Sequence, residues 1–164
     1  MKTLYLVRHA KSSWENFSLS DHDRPLLQSG IKKTKRIIAF LREKQVMPDM
    51  LKSSSAKRAL DTAKLIAHGI GYPESKIGVN KGLYHASAET IYHELYALPD
   101  DVQSVMLFGH NPTFTYFAND FISPAIDNLP TSGVVSIGFK TDKWENINGA
   151  AFKVNFVVFP RMLK

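Results

Sequence analysis

The sequence predicts an α/β fold: a three-layer α/β/α sandwich with a mostly parallel central sheet and an antiparallel hairpin at one edge. Three observations carry this reading. Two unbroken apolar runs, Leu4-Tyr5-Leu6-Val7 and Val105-Met106-Leu107-Phe108, have the character of strands buried on both faces of a sheet. Between them, segments with apolar residues at helical spacing alternate with short strand-like ones. Two final apolar stretches are separated by a short polar connection, which suits an antiparallel pair.

In chain order, the first strand runs into Arg8-His9-Ala10-Lys11-Ser12-Ser13-Trp14. The polar stretch 18–29 reads as a loop, because Pro25 turns the preceding residue away from helix. A helix is expected over 29–44, with Ile31, Ile37, Ile38 and Leu41 along its inner side. Met47-Pro48-Asp49 ends it, and residues 50–53 form the second strand. Ser54 and Ser55 then suit the N-cap of a helix to about residue 68, whose inner stripe is Ala59, Thr62, Ala63 and Ile66. A weak strand over 76–80 and a helix over 88–98 follow, the latter with Ile91, Leu95 and Leu98 aligned. After the second apolar run, Asn111 is placed to cap and Pro112 to open a helix reaching about residue 121. Residues 134–139 and 151–159 form the closing pair of strands.

Composition narrows the function. A chain of 164 residues suffices for one domain, residues 1–164, with a sizeable core. An apolar content of 44% with 22% charged residues is ordinary for a water-exposed globular protein. There is no cysteine, which excludes thiol nucleophiles, disulfides and zinc–thiolate sites. The apolar run before Arg8 is too short for a secretion signal, and no stretch of about 18 apolar residues could span a membrane. A cytoplasmic protein with no membrane partner is therefore expected. The net charge of +6 favours anionic partners. The cations are spread along the chain, however, and no basic run is interleaved with aromatics, so nucleic acid is not the expected ligand. The densest cluster, Lys32, Lys33, Lys35 and Arg36, has the spacing of a solvated helix face.

Three strand-to-helix junctions carry similar chemistry. Arg8-His9 follows the first strand, Arg58 lies one turn into the helix after the second, and His110 precedes a helix after the fourth. In a mainly parallel sheet these junctions share one edge, where ligands of open α/β sheets bind and helix N-termini favour anions. A phosphoryl group in transfer spreads negative charge over three oxygens, which guanidinium and imidazole groups can stabilise without a metal. His9, kept neutral by neighbouring cations, is the candidate nucleophile. His22, His68, His85 and His93 lack such neighbours in sequence and default to structural or solvated roles. No acidic cluster near the junctions suggests a metal site, so no cofactor is expected.

These residues resemble the histidine phosphatase superfamily, with its phosphoglycerate-mutase-like fold. The resemblance rests on Arg8-His9-Ala10-Lys11-Ser12-Ser13-Trp14, on Ser54, Arg58, Ala59, Thr62 and Ala63, and on Gly109-His110-Asn111-Pro112. Within it, Asp21-His22-Asp23-Arg24-Pro25-Leu26 and Leu129-Pro130-Thr131 are similar to the short SixA-type branch of phosphohistidine phosphatases. The resemblance implies His9 as nucleophile, Arg8, Arg58 and His110 as the phosphate pocket, and Arg24 and Ser12 as further contacts. It leaves the proton donor open: many short-branch members have Glu where this chain has His85, the next acid is Glu89, and solvent is the third source. Glu15 stands where larger relatives often have a pocket Asn, and that role is not carried over. The implied partner is a phosphohistidine-carrying protein domain. The alternatives are a small phosphorylated metabolite, as for a phosphomonoesterase, and a non-catalytic phosphate-binding module; a mutase is least expected.

Overall fold

Strand β1 (Lys2–Arg8) is apolar on both faces because both are covered: Leu4 and Leu6 enter one core and Val7 the other. The same alternation runs along β4 (Ser104–Gly109), where Val105 and Leu107 face one side and Met106 and Phe108 the opposite one. In the computed structural model, which describes residues 1–14 and 20–164, these two strands pair in parallel at the middle of a six-stranded sheet. The remaining strands are β2 (Met50–Ser54), β3 (Gly78–Asn80), β5 (Val134–Phe139) and β6 (Phe152–Val158). The order is β3-β2-β4-β1-β5-β6, with β3, β2, β4 and β1 mutually parallel. β5 runs antiparallel to β1 and to β6, which forms the edge.

Helices cover both faces. On one side α1 (Gln28–Glu43) and α2 (Lys57–Ile70) bury Ile37, Leu41, Ala63, Ile66 and Ala67 against the sheet. On the other, α3 (Ala88–Tyr96) and α4 (Thr113–Asn119) contribute Ile91, Leu95, Phe114 and Phe117. The expected three layers and mostly parallel sheet are therefore present. α2 ends at Gly71, whose φ of 86° is the left-handed conformation that glycine adopts without strain.

Several local expectations need correction. Neither Ser54 nor Ser55 caps α2: the N-cap is Ala56, and Ser54 Oγ accepts from the Ala56 amide two residues on. α4 begins at Thr113 with Pro112 as N-cap and stops at Asn119, two residues before Phe121. Asn111 Oδ1 does accept from the Thr115 amide and hydroxyl, so it satisfies donors of the first turn. The weak third strand shortens to Gly78–Asn80 because Glu74–Lys76 closes into a 3₁₀ turn. Lys2, unremarkable in sequence, is fully buried, and its ammonium donates to the carbonyls of Asp100 and Val102 and to Gln103.

Candidate active site

The site forms because β2, β4 and β1 are neighbours pointing the same way, so their carboxyl ends deliver three chain segments to one place. Arg8, His9, Ser12, Arg24, Arg58 and His110, the six residues singled out from sequence, all line one open cleft of about 350 Å³. Lys11, Trp14, Asn111 and Thr131 complete its wall. Glu15 lies outside the described residues.

Each segment is fastened to its neighbours. Thr62 Oγ1 accepts from the Ala10 amide at 2.9 Å and donates to the Arg58 carbonyl at 2.7 Å, tying α2 to the chain just after His9. The Lys11 carbonyl accepts from the Leu27 amide, and Ser13 donates to the Pro25 carbonyl, so the two strands of loop run side by side and carry Arg24 into the cleft. Gly30 permits this approach: a Cβ there would lie 2.5 Å from the Lys11 carbonyl oxygen.

His9 is 7% exposed, and its Nδ1 is 2.8 Å from the Ala10 carbonyl oxygen. A carbonyl only accepts, so Nδ1 carries the hydrogen and Nε2 the lone pair. Burial lowers the His9 pKa to about 4, with Arg58, Arg8 and Arg24 adding to the effect and the Ala10 hydrogen bond opposing it. Burial likewise lowers His110 to about 3, helped by the Arg58 charge. Both rings are neutral at physiological pH, with centroids 5.2 Å apart. His110 Nε2 is 2.8 Å from Ser54 Oγ, and its Nδ1 is buried with no partner among the described residues.

The arginines are held from behind. Arg8 donates to the Leu129 carbonyl at 3.0 Å, and its Nε is buried and unpartnered. Arg58 donates to the Asp21 carbonyl at 2.7 Å and to Asp21 Oδ2 at 3.1 Å, leaving Nε without a partner. Arg24 Nε lies 3.2 Å from Asp21 Oδ1, close enough for ion pairing but misaligned for a hydrogen bond, while its guanidinium stacks on Trp14 at 3.3 Å. Burial of the guanidiniums and the Arg58 charge lower the pKa of Arg8 and of Arg24.

Sequence reasoning missed two residues of this network. Asp21 reaches both Arg58 and Arg24, and Tyr84 donates its hydroxyl to Asp21 Oδ2 at 2.6 Å. Partial burial would raise the Asp21 carboxyl, but the Tyr84 hydrogen bond and the Arg58 charge outweigh it and hold the pKa below the usual value. His22 has a structural role beside this network, pairing with Ser55 at 2.9 Å and meeting the Tyr84 ring edge-on. The signal for Asp21 was its place three residues before Arg24; nothing local marked Tyr84.

A second cleft of about 220 Å³ adjoins the first across His110 and Asn111, lined also by Leu83, Tyr84, His85 and Phe114. His85 stacks on Tyr84 with centroids 4.1 Å apart. Glu89 lines neither cleft and instead lies 3.9 Å from His93 on the exposed side of α3. His68 and His93 are exposed. Among the described residues no three His, Cys, Asp or Glu side chains are grouped to hold a metal, and no helix is long and apolar enough to cross a membrane.

Comparison with known proteins gives the family and the fold. A family model of the histidine phosphatase superfamily (branch 1) matches residues 4–89. An uncharacterized protein of Mycobacterium tuberculosis is 30% identical, covering 93% of this chain and 99% of its own length. An uncharacterized chloroplastic protein of Arabidopsis thaliana is 29% identical over 88% of this chain and 69% of its own. Among solved structures, a protein assigned as the phosphohistidine phosphatase SixA from Agrobacterium tumefaciens superposes with a TM-score of 0.79 at 27% identity, covering 96% of this chain and 97% of that one. The protein histidine phosphatase SixA complexed with tungstate gives a TM-score of 0.82 at 21% identity, over 99% of both chains.

Proposed function

The chain belongs to the histidine phosphatase superfamily and to its SixA-type branch, and on that premise we propose that it hydrolyses phosphohistidine through a covalent intermediate on His9. The observation that carries the reading is the fixed tautomer of His9: Nδ1–H is engaged by the Ala10 carbonyl, so Nε2 is the basic nitrogen in a cleft lined by three arginines. Its pKa of about 4 keeps that lone pair free of a proton at neutral pH.

Arg8, Arg24 and Arg58 hold the phosphoryl oxygens, and His110 contacts one of them as a neutral donor. Nε2 attacks phosphorus in line; the new N–P bond forms as the substrate's P–N bond breaks. The substrate imidazole leaves neutral after its ring has taken up a proton, from solvent or from His85 in the adjoining cleft. Water then attacks the phosphoryl group on His9, giving dihydrogen phosphate and returning the neutral ring, so protons and charge balance. Ser12, buried in the cleft wall, is a further contact. A phosphate monoester would leave as an alkoxide and needs a positioned acid far more, an effect worth about 10²–10⁴-fold. Phosphoramidates are therefore the better substrates.

The test is trapping of phosphoryl-labelled enzyme at neutral pH, with wild type, His9→Ala and Arg58→Ala. Label on the wild type and none on His9→Ala is expected; label retained by His9→Ala overturns the nucleophile. Arg58→Ala should lower kcat/KM by roughly 100-fold or more, since it removes a charged donor to the developing anion. Equal turnover of phosphohistidine and p-nitrophenyl phosphate would count against the phosphoramidate preference.

A further inference from the structure

The basic cluster on α1 is not one uniform solvated face. Lys33 and Arg36 line a separate pocket of about 230 Å³ together with Arg161, Phe159, Pro130 and Thr131, whereas Lys32 and Lys35 lie outside it. Three residues apart on a helix, Lys33 and Arg36 share a side. The Arg161 guanidinium lies over the Phe159 ring, 4.8 Å from its centroid, which places the group without neutralising it. None of these three cations is in an ion pair among the described residues. Like charges gathered in one concavity repel, and an anion of matching shape relieves that repulsion. Thr131 also lines the cleft of His9, so the two pockets meet at that residue.

We propose that this pocket seats a carboxylate side chain carried on the surface of the phosphoryl-bearing protein substrate, a reading that rests on the phosphatase function above. Guanidinium groups pair with carboxylates through two parallel hydrogen bonds, which suits Arg36 and Arg161 to that ligand. Thr131 lines both pockets, so a single partner that occupies both has to span that residue. A protein surface can; a small phosphorylated metabolite cannot. The basic seat thus sets docking and orientation, while His9 and the arginines of the cleft handle the phosphoryl group.

The experiment compares two variants that each remove two positive charges from the same helix: K33Q/R36Q inside the pocket and K32Q/K35Q outside it. Binding of a labelled glutamate-rich peptide, with its glutamine counterpart as control, is followed by fluorescence anisotropy at low salt. K33Q/R36Q should weaken glutamate-peptide binding roughly five- to tenfold and K32Q/K35Q less than twofold. R161Q should act in the same direction as K33Q/R36Q. Equal losses in the two double variants, or no preference of the wild type for glutamate over glutamine, overturn the seat. Phosphoramidate, too small to reach the pocket, should be hydrolysed by K33Q/R36Q at the wild-type rate. Failure of the wild type to hydrolyse phosphoramidate would strike the phosphatase reading alone, because peptide binding still decides the seat.

Discussion

Replacing His9 by glutamine should make the protein more resistant to acid even as it abolishes turnover. The His9 pKa falls from 6.5 in the unfolded chain to about 4 in the folded one, chiefly because the ring is buried and faces three arginines. Between those values the unfolded state binds the proton more readily than the native state, so stability rises with pH across that window. The contribution is fully present above pH 6.5 and is lost as the pH falls towards 4. A shift of 2.5 units, from 6.5 to about 4, at about 1.4 kcal/mol per unit, makes the loss about 3 kcal/mol between pH 7 and pH 4. Glutamine keeps an amide near the Ala10 carbonyl but cannot titrate. Urea unfolding of wild type and His9→Gln at both pH values reads the difference directly. The stability lost on acidification should be about 3 kcal/mol smaller for the variant. If both proteins lose the same amount, the ring is not held neutral by its surroundings, and the basis for calling it a ready nucleophile fails.

Other outcomes follow from the same geometry. Asp21→Asn should lower kcat about tenfold while leaving inhibition by inorganic phosphate no weaker, because the arginines lose their aim but the cleft loses a negative charge; unchanged kcat would remove Asp21 from the positioning network. Thr62→Val should cost about 1–3 kcal/mol in urea unfolding, since it strips the partner from the buried Ala10 amide. Gly30→Ala should destabilise the protein by about 1–3 kcal/mol and depress kcat/KM, because its methyl would meet the Lys11 carbonyl and push the loop beside His9. Turnover should persist in excess chelator; loss restored by a divalent ion would show that the guanidiniums are not sufficient.

What could be read from the sequence is what adjacency along the chain encodes. Arg8-His9, Arg58 and Gly109-His110 each sit within a few residues of a strand end, so placing the strands also placed the residues. The expected Ser54 cap went astray because the strand runs through Ser54 and turns its hydroxyl to His110. Contacts across long separations left no local trace: Tyr84 reaches Asp21 across 63 residues, and Arg58 reaches it across 37. The basic stretch of α1 divided for a similar reason, since Lys33 and Arg36 share their pocket with Pro130, Thr131 and Phe159–Arg161, all distant along the chain.

The position of Asp21 explains how three guanidiniums can share so small a space. Without it, Arg8, Arg24 and Arg58 would repel one another around a cleft of about 350 Å³. One carboxylate behind two of them leaves two uncompensated positive charges, since both histidines are neutral; Lys11 stands at the exposed rim. Two positive charges match a phosphoryl dianion. The buried, unpartnered Nε of Arg8 and of Arg58 and the Nδ1 of His110 are groups whose desolvation is already incurred on folding. A ligand that supplies oxygens to them recovers that free energy, and most fully when its charge is spread over three equatorial oxygens. The cleft is thus built to favour phosphorus in transfer over phosphorus at rest.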